Sequence, residues 1–178
     1  MATGVIVLNG VSSAGKTSLA RALQNLLPDT WLTFGVDALI NVMPPRLDGA
    51  PEGLTIAPGG TVTTGPAWRA MEADWRRGMG AMARAGVRLV LDEVLFGGGE
   101  DQRAWNAALD GVGVLWVGVR IDPAIAAERE RARGDRVIGL ARMQAPLVHQ
   151  GMVYDLEVDT GRFSAAECAR LIVEQVLP

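Results

Sequence analysis

Three kinds of side chain are nearly missing from this chain. Its 178 residues include one cysteine, Cys168, and one histidine, His149, and the 17 basic residues include a single lysine, Lys16. A lone cysteine makes no intramolecular disulfide or cysteine-rich zinc site, and a lone histidine makes no histidine metal cluster. Also lacking is any apolar run of the ~18 residues that span a membrane. The start passes from Met1-Ala-Thr-Gly4 into Val5-Ile-Val-Leu8 with no basic stretch or cleavage site. These absences predict a protein of the reducing cytoplasm, neither exported nor inserted in a membrane. A net charge of −3 supplies no basic field for a phosphate backbone, so nucleic acid is not an expected partner and a small molecule is. Assembly into a homo-oligomer is left open. With 49% hydrophobic residues the chain suits one domain, 1–178, whose core needs no metal or disulfide staple.

What is present alternates. Short apolar runs at Val5–Asn9, Trp31–Val36, Val87–Leu91, Val112–Ile121 and Tyr154–Asp159 read as strands. Between them, helical periodicity covers Lys16–Leu27, Ala38–Met43, Pro66–Ala85, Asp101–Leu109, Pro123–Arg133 and Ser164–Val176. Strand and helix in turn predict an α/β fold, a five-stranded parallel sheet with helices on its faces. Residues 44–66 break the rhythm with ten Pro or Gly, and no helix can run through them. Within this insertion, Leu54–Ala57 and Thr61–Thr64 flank Pro58-Gly-Gly60 and predict a small hairpin. It reads either as a wall over an acceptor site or as a surface excursion.

The first strand runs into Gly10-Val-Ser-Ser-Ala-Gly-Lys-Thr17, which matches the G-x-x-x-x-G-K-[ST] phosphate loop with the required strand before it and helix after it. Gly10 and Gly15 let the backbone curl, so that amides from Gly10, Val11, Ser12, Ser13, Ala14, Gly15, Lys16, Thr17 and Ser18 converge on nucleotide phosphates at a helix N-terminus. Lys16 would reach the β- and γ-phosphates, and the Thr17 hydroxyl would face Mg²⁺. ATP and Mg²⁺ are the expected cofactors. Coding preference for arginine explains the scarcity of lysine but not its position. A compact ammonium fits between phosphates where a planar guanidinium does not.

Two acids lie where open α/β sheets gather their ligands, at strand C-termini. Asp37 follows Trp31-Leu-Thr-Phe-Gly-Val36 and reads either as a base that takes a hydroxyl proton or as the N-cap of the next helix. Asp92 closes Val87-Arg-Leu-Val-Leu91 in the manner of a Walker B strand, placed for Mg²⁺, with Glu93 beside it as a second candidate base. The run Glu128-Arg-Glu-Arg-Ala-Arg-Gly-Asp-Arg136 reads either as a solvated helix face or as an arginine-bearing lid over about 128–140. In the lid reading, Arg133 and Arg136 neutralise charge on the migrating phosphoryl group and help to exclude water. Trp68, Met71, Trp75, Met79 and Met82 share a helical stripe that suits the core, with Trp68 placed to line an acceptor pocket. His149 reads as a satisfied histidine rather than a ligand contact, and Cys168 as a small core residue.

The sequence resembles the chloramphenicol phosphotransferases, a family of cytoplasmic P-loop kinases. The resemblance rests on Leu8-Asn-Gly10 with Ser12-Ser-Ala-Gly-Lys16, on Trp31-Leu and Phe34-Gly-Val-Asp37, on Met82-Ala-Arg-Ala-Gly86 and on Leu115-Trp-Val-Gly-Val-Arg120. It extends through Ala132-Arg-Gly-Asp-Arg-Val137, Tyr154-Asp and Glu157-Val-Asp-Thr160, nearly the whole chain. The resemblance implies ATP-dependent phosphorylation of the primary 3-hydroxyl of chloramphenicol, an antibiotic-resistance activity, with Asp37 as base and Arg133 and Arg136 on the lid. The chain departs from the family at Leu91-Asp-Glu93, where the family pattern has paired aspartates, and in the 44–66 insertion. Acceptor choice is expected to depend on both.

Overall fold

A computed structural model describes residues 2–134 and 137–177. Five strands form one parallel sheet: β1 (Thr3–Asn9), β2 (Trp31–Gly35), β5 (Arg88–Glu93), β6 (Gly113–Arg120) and β7 (Leu156–Asp159), in the order β2-β5-β1-β6-β7. The sheet is buried on both faces because β1 is apolar on both. Ile6 and Leu8 pack with Leu19 and Leu23 of α1 (Lys16–Leu26) and with Cys168 and Ile172 of α7 (Ala165–Val176). Val5 and Val7 point the other way, onto Met79 and Ala83 of α3 (Pro66–Arg84) and Trp105 of α4 (Gly99–Ala108). Successive residues of a strand face opposite sides, so one unbroken apolar run serves both layers. Cys168 is fully buried in this core, as its place on the last helix suggested.

The expected elements fall close to their predicted bounds, with two differences that affect the site. β5 runs on through Glu93, so Asp92 and Glu93 are its last two residues rather than a loop beyond it. α2 (Val36–Val42) starts earlier than its periodicity suggested, and its N-cap residue is Gly35 with no side-chain cap. Asp37 therefore lies inside the first turn and is not the cap. In the insertion, β3 (Leu54–Ile56) and β4 (Val62–Thr64) pair antiparallel as the predicted hairpin. Leu54 packs with Leu39, Met43 and Trp68 in a small separate cluster. The remaining helices are α5 (Pro123–Arg133) and the five-residue α6 (Leu140–Gln144). Among the described residues, no helix is long and apolar enough to cross a membrane.

Asn9, at the C-terminal end of β1, ties three segments together beside the phosphate loop. Its Oδ1 accepts from the Leu95 N–H at 3.0 Å, and its Nδ2 donates to the Val148 carbonyl at 2.6 Å and to the Tyr154 hydroxyl at 2.7 Å. The same hydroxyl lies 2.7 Å from His149 Nδ1. His149 is thus satisfied within the scaffold, in keeping with its sequence reading. Burial, with the nearby Arg120 guanidinium, pushes its pKa down to about 4, and burial pushes that of Tyr154 up to about 12. The unfolded chain takes up the imidazole proton near pH 6.5 and the folded chain only near 4, so folding stability falls as the pH drops through that window. Denaturant titrations at pH 7 and pH 4.5 are expected to show this loss, and His149→Gln should shrink it. An equal loss in the variant would clear His149 of the effect.

Candidate active site

The strand ends converge because two glycines permit it. A Cβ on Gly10 would lie 2.5 Å from the Val119 carbonyl oxygen, and one on Gly35 would lie 2.1 Å from that of Asp92. No side chain fits at either place, so β1 closes on β6 and β2 on β5. The phosphate loop then turns through two left-handed residues, Ser13 at φ 60° and Gly15 at φ 80°. Such a path turns successive amides toward one point and makes an anion cradle. α1 opens at Lys16 with no side chain capping its first turn, so its orphan amides add to the cradle. Ala14 is fixed from below, its carbonyl accepting from the Thr160 hydroxyl at 2.6 Å. Ser12 N–H donates to the Gln144 side chain of α6.

Lys16, 6% exposed, turns back on the loop, its Nζ donating to the Val11 carbonyl at 3.0 Å and lying 3.6 Å from Asp92 Oδ1. The Thr17 hydroxyl donates to Asp92 Oδ2 at 2.7 Å. The two residues expected at Mg²⁺ are therefore adjacent although 75 positions apart. Among the described residues no three His, Cys, Asp or Glu side chains gather as a metal cage. A hydroxyl and a carboxylate side by side do suit a hard cation that takes its other oxygens from phosphates and water.

The loop opens into a cleft of about 860 Å³ that Ser12, Ser13, Gly15, Lys16, Thr17, Ser18, Asp37, Asp92 and Arg133 all line. Gly10, Val11 and Ala14 shape the loop from behind and do not line the cleft, and Arg136 lies outside the described residues. The hairpin walls the cleft with Leu54, Ile56, Val62 and Thr64, and α3 does so with Trp68, Glu72, Trp75 and Arg76. Both of these tryptophans also pack into the core clusters, so the stripe serves core and cleft together. Met79 and Met82, at the far end of the stripe, pack only in the core. Glu93 is buried at 6% exposure, and desolvation, reinforced by the Asp92 carboxylate, holds its carboxyl well above the usual range. Burial also raises Glu72, against the pull of Arg76 and of a hydrogen bond with Trp68.

Sequence reasoning missed the contacts that join α5 and α6. Glu130 of α5 is 1% exposed, and its two oxygens accept from the Gly139 N–H at 2.6 Å and the Ala141 N–H at 3.0 Å. It reads as one more member of a charged run, and only its place on the inner face of α5 distinguishes it. Arg129 likewise points inward and donates to the Thr160 carbonyl at 2.7 Å. The hairpin turn meets the start of α6 by backbone contact. A Cβ on Gly139 would lie 2.6 Å from the Gly59 carbonyl oxygen, and one on Gly60 would lie 2.5 Å from Leu140 N.

A parallel sheet in this strand order, with a phosphate loop after β1 and an acid-lined cleft at the strand ends, defines a P-loop kinase of small molecules. Residues 3–177 match the family described as chloramphenicol phosphotransferase-like protein, and the chain belongs to it. A Mycobacterium tuberculosis (strain H37Rv) relative, provisionally named an O-phosphotransferase, is 34% identical over 186 residues, covering 96% of this chain and 80% of the relative. The fold is also that of the APS kinase of M. tuberculosis, solved with AMPPNP and APS, at a TM-score of 0.66 and 14% identity over 99% of each chain. A Sinorhizobium meliloti gluconokinase matches at a TM-score of 0.62 and 19% identity, over 97% of this chain and 91% of that one. The protein is a small-molecule phosphotransferase with an alcohol group as acceptor.

Glu130→Gln replaces one of two accepting oxygens with a donor that faces an N–H. Thermal unfolding is expected to show a loss of about 1–3 kcal/mol, the cost of a buried group left unpaired. An unchanged Tm would show that Glu130 does not hold the segment.

Proposed function

We propose that the chain transfers the γ-phosphoryl group of ATP to the primary 3-hydroxyl of chloramphenicol, inactivating the antibiotic, from a single cytoplasmic domain. The family supports the drug as acceptor. The observation that carries the mechanism is that Asp37, in the first turn of α2, shares one cleft with the phosphate-loop Lys16 and with Arg133. In this reading the loop amides of Ser13, Gly15, Lys16, Thr17 and Ser18 hold the phosphates, that of Ser12 joining them when it leaves the Gln144 side chain, with Gly10, Val11 and Ala14 shaping the cradle. Lys16 exchanges its Val11 carbonyl for phosphate oxygens. Thr17 and Asp92 hold Mg²⁺, which when bound offsets charge on the β- and γ-phosphates. The 44–66 insertion covers the acceptor, and the segment about 128–140 closes as the lid that brings Arg133 and Arg136 to the phosphates.

Asp37 orients the acceptor hydroxyl along the line of attack. As the bond from acceptor oxygen to γ-phosphorus forms, the bond from that phosphorus to the bridging oxygen breaks and ADP departs. An alcohol is scarcely ionised at neutral pH, so Asp37 takes the proton late, when the oxygen has gained positive character. The arginines compensate charge on the loose phosphoryl group, and the covered cleft keeps out water as a competing acceptor. A kinase of another small hydroxylated metabolite or nucleoside on the same scaffold is the second reading. It is favoured by Glu93, which departs from the family's paired aspartates inside the cleft.

Incubation with chloramphenicol and Mg-ATP, followed by mass spectrometry, is expected to show a phosphorylated drug. No product from the drug, beside turnover of another alcohol, would select the second reading. Asp37→Asn is expected to keep nucleotide binding while kcat falls by roughly 10²-fold or more, and near-normal turnover would remove Asp37 as base. Lys16→Arg should impair transfer although the charge is kept, and an active variant would contradict the role given to Lys16.

A further inference from the structure

The cleft is lined by further residues to which the phosphoryl-transfer chemistry gives no role. One wall is a face of α3, where Trp68, Glu72, Trp75 and Arg76 fall three and four residues apart. Its floor is Glu93. This residue is 6% exposed, and its Oε1 has no hydrogen-bond partner among the described residues. The indole Nε1 of Trp75 is likewise buried with no partner among them. A buried polar atom left unpaired has lost its water without replacing it, which disfavours the empty site. Two such atoms on residues that line one open cleft, a carboxyl oxygen and an N–H, are a ready pair of contacts for a molecule that enters it.

The two atoms are of opposite kind, which restricts what they accept. A carboxylate on the ligand would meet the carboxyl groups of Glu93 and Glu72. An ammonium would have no use for the Trp75 N–H, and it would meet the guanidinium of Arg76. A neutral group that both donates and accepts satisfies both atoms. Trp75 also presents an aromatic surface, held edge-on by Phe34 with ring centroids 6.0 Å apart.

We propose that Glu93 and Trp75 form the subsite for the part of the acceptor remote from its reacting hydroxyl, and that they select a neutral alcohol bearing there a secondary amide or a second hydroxyl. The inference rests on the phosphotransfer reading but not on chloramphenicol as the acceptor. In this assignment both residues hold the acceptor away from its reacting hydroxyl, so their contribution belongs to acceptor binding, in the ground state and the transition state alike.

The test ranks acceptors by kcat/KM with Mg-ATP from a panel of chloramphenicol, adenosine and uridine, which are neutral, and gluconate and shikimate, which are acids. The best of them then serves for kinetics of Trp75→Phe and Glu93→Met, which remove the N–H and the carboxyl oxygens while keeping an aromatic ring and an unbranched chain, with the KM for ATP as the control for an intact fold. A neutral compound is expected to rank first. Each variant is expected to raise its KM by roughly tenfold, with kcat within about threefold and the KM for ATP unchanged. An acid ranking first would overturn the proposal, as would an unchanged acceptor KM in both variants. A collapse of kcat at constant KM in Glu93→Met would also overturn it, by placing Glu93 in the chemistry. A nucleoside ranking above chloramphenicol, with the same KM effects, would support the subsite and retire the drug. No turnover of any panel member would fail the phosphotransfer reading, and this subsite with it.

Discussion

Asp92 joins the two halves of the candidate site. One carboxylate oxygen takes the Thr17 hydroxyl and the other faces the Lys16 ammonium, so the end of β5 is tied to the first turn of α1 across the sheet. That contact depends on backbone crowding. Only a residue without a Cβ lets β2 approach β5 at Gly35, and only a residue without a Cβ lets the loop start against β6 at Gly10. Asp37, two residues beyond Gly35, reaches the same cleft by the same crowding. The acids and the phosphate loop are neighbours because three strands end together, not because any segment of sequence places them so.

Helices α5 and α6 and the 44–66 insertion depend on a second set of close contacts. Glu130 holds the start of α6 through two backbone amides, Gln144 of that helix meets the Ser12 amide, and Gly139 meets the hairpin turn at Gly59 and Gly60. One short helix therefore touches the phosphate loop, the charged helix α5 and the wall of the acceptor end. A change in any of these three is felt by the other two, since backbone in van der Waals contact cannot yield without moving its partner.

Much of this was legible in the sequence. β-branched runs and helical periodicity marked all five sheet strands, and the Gly-Gly turn marked the hairpin. The phosphate loop carried its own context of strand before and helix behind. Asp37 was ambiguous, because aspartate at a strand-to-helix junction is as good a cap as a base, and only the backbone at Gly35 removes the cap. α6 was hidden because five residues give no period. Glu130 and Gln144 were hidden because each meets backbone amides, which leave no signature in the identity of the partner. The orphaned atoms of Glu93 and Trp75 were out of reach for a related reason: a missing partner shows only when the surroundings are seen.

The central claim is that Lys16 and Asp37 address the two ends of one transferring phosphoryl group. A crystal structure with a non-hydrolysable ATP analogue, Mg²⁺ and chloramphenicol tests it most directly. The account predicts Lys16 Nζ released from the Val11 carbonyl onto a phosphate oxygen, and an Asp37 oxygen within ~3 Å of the 3-hydroxyl, with that hydroxyl in line with the γ-phosphorus. Lys16 still seated on Val11, or an acceptor hydroxyl held by a group other than Asp37, would contradict it.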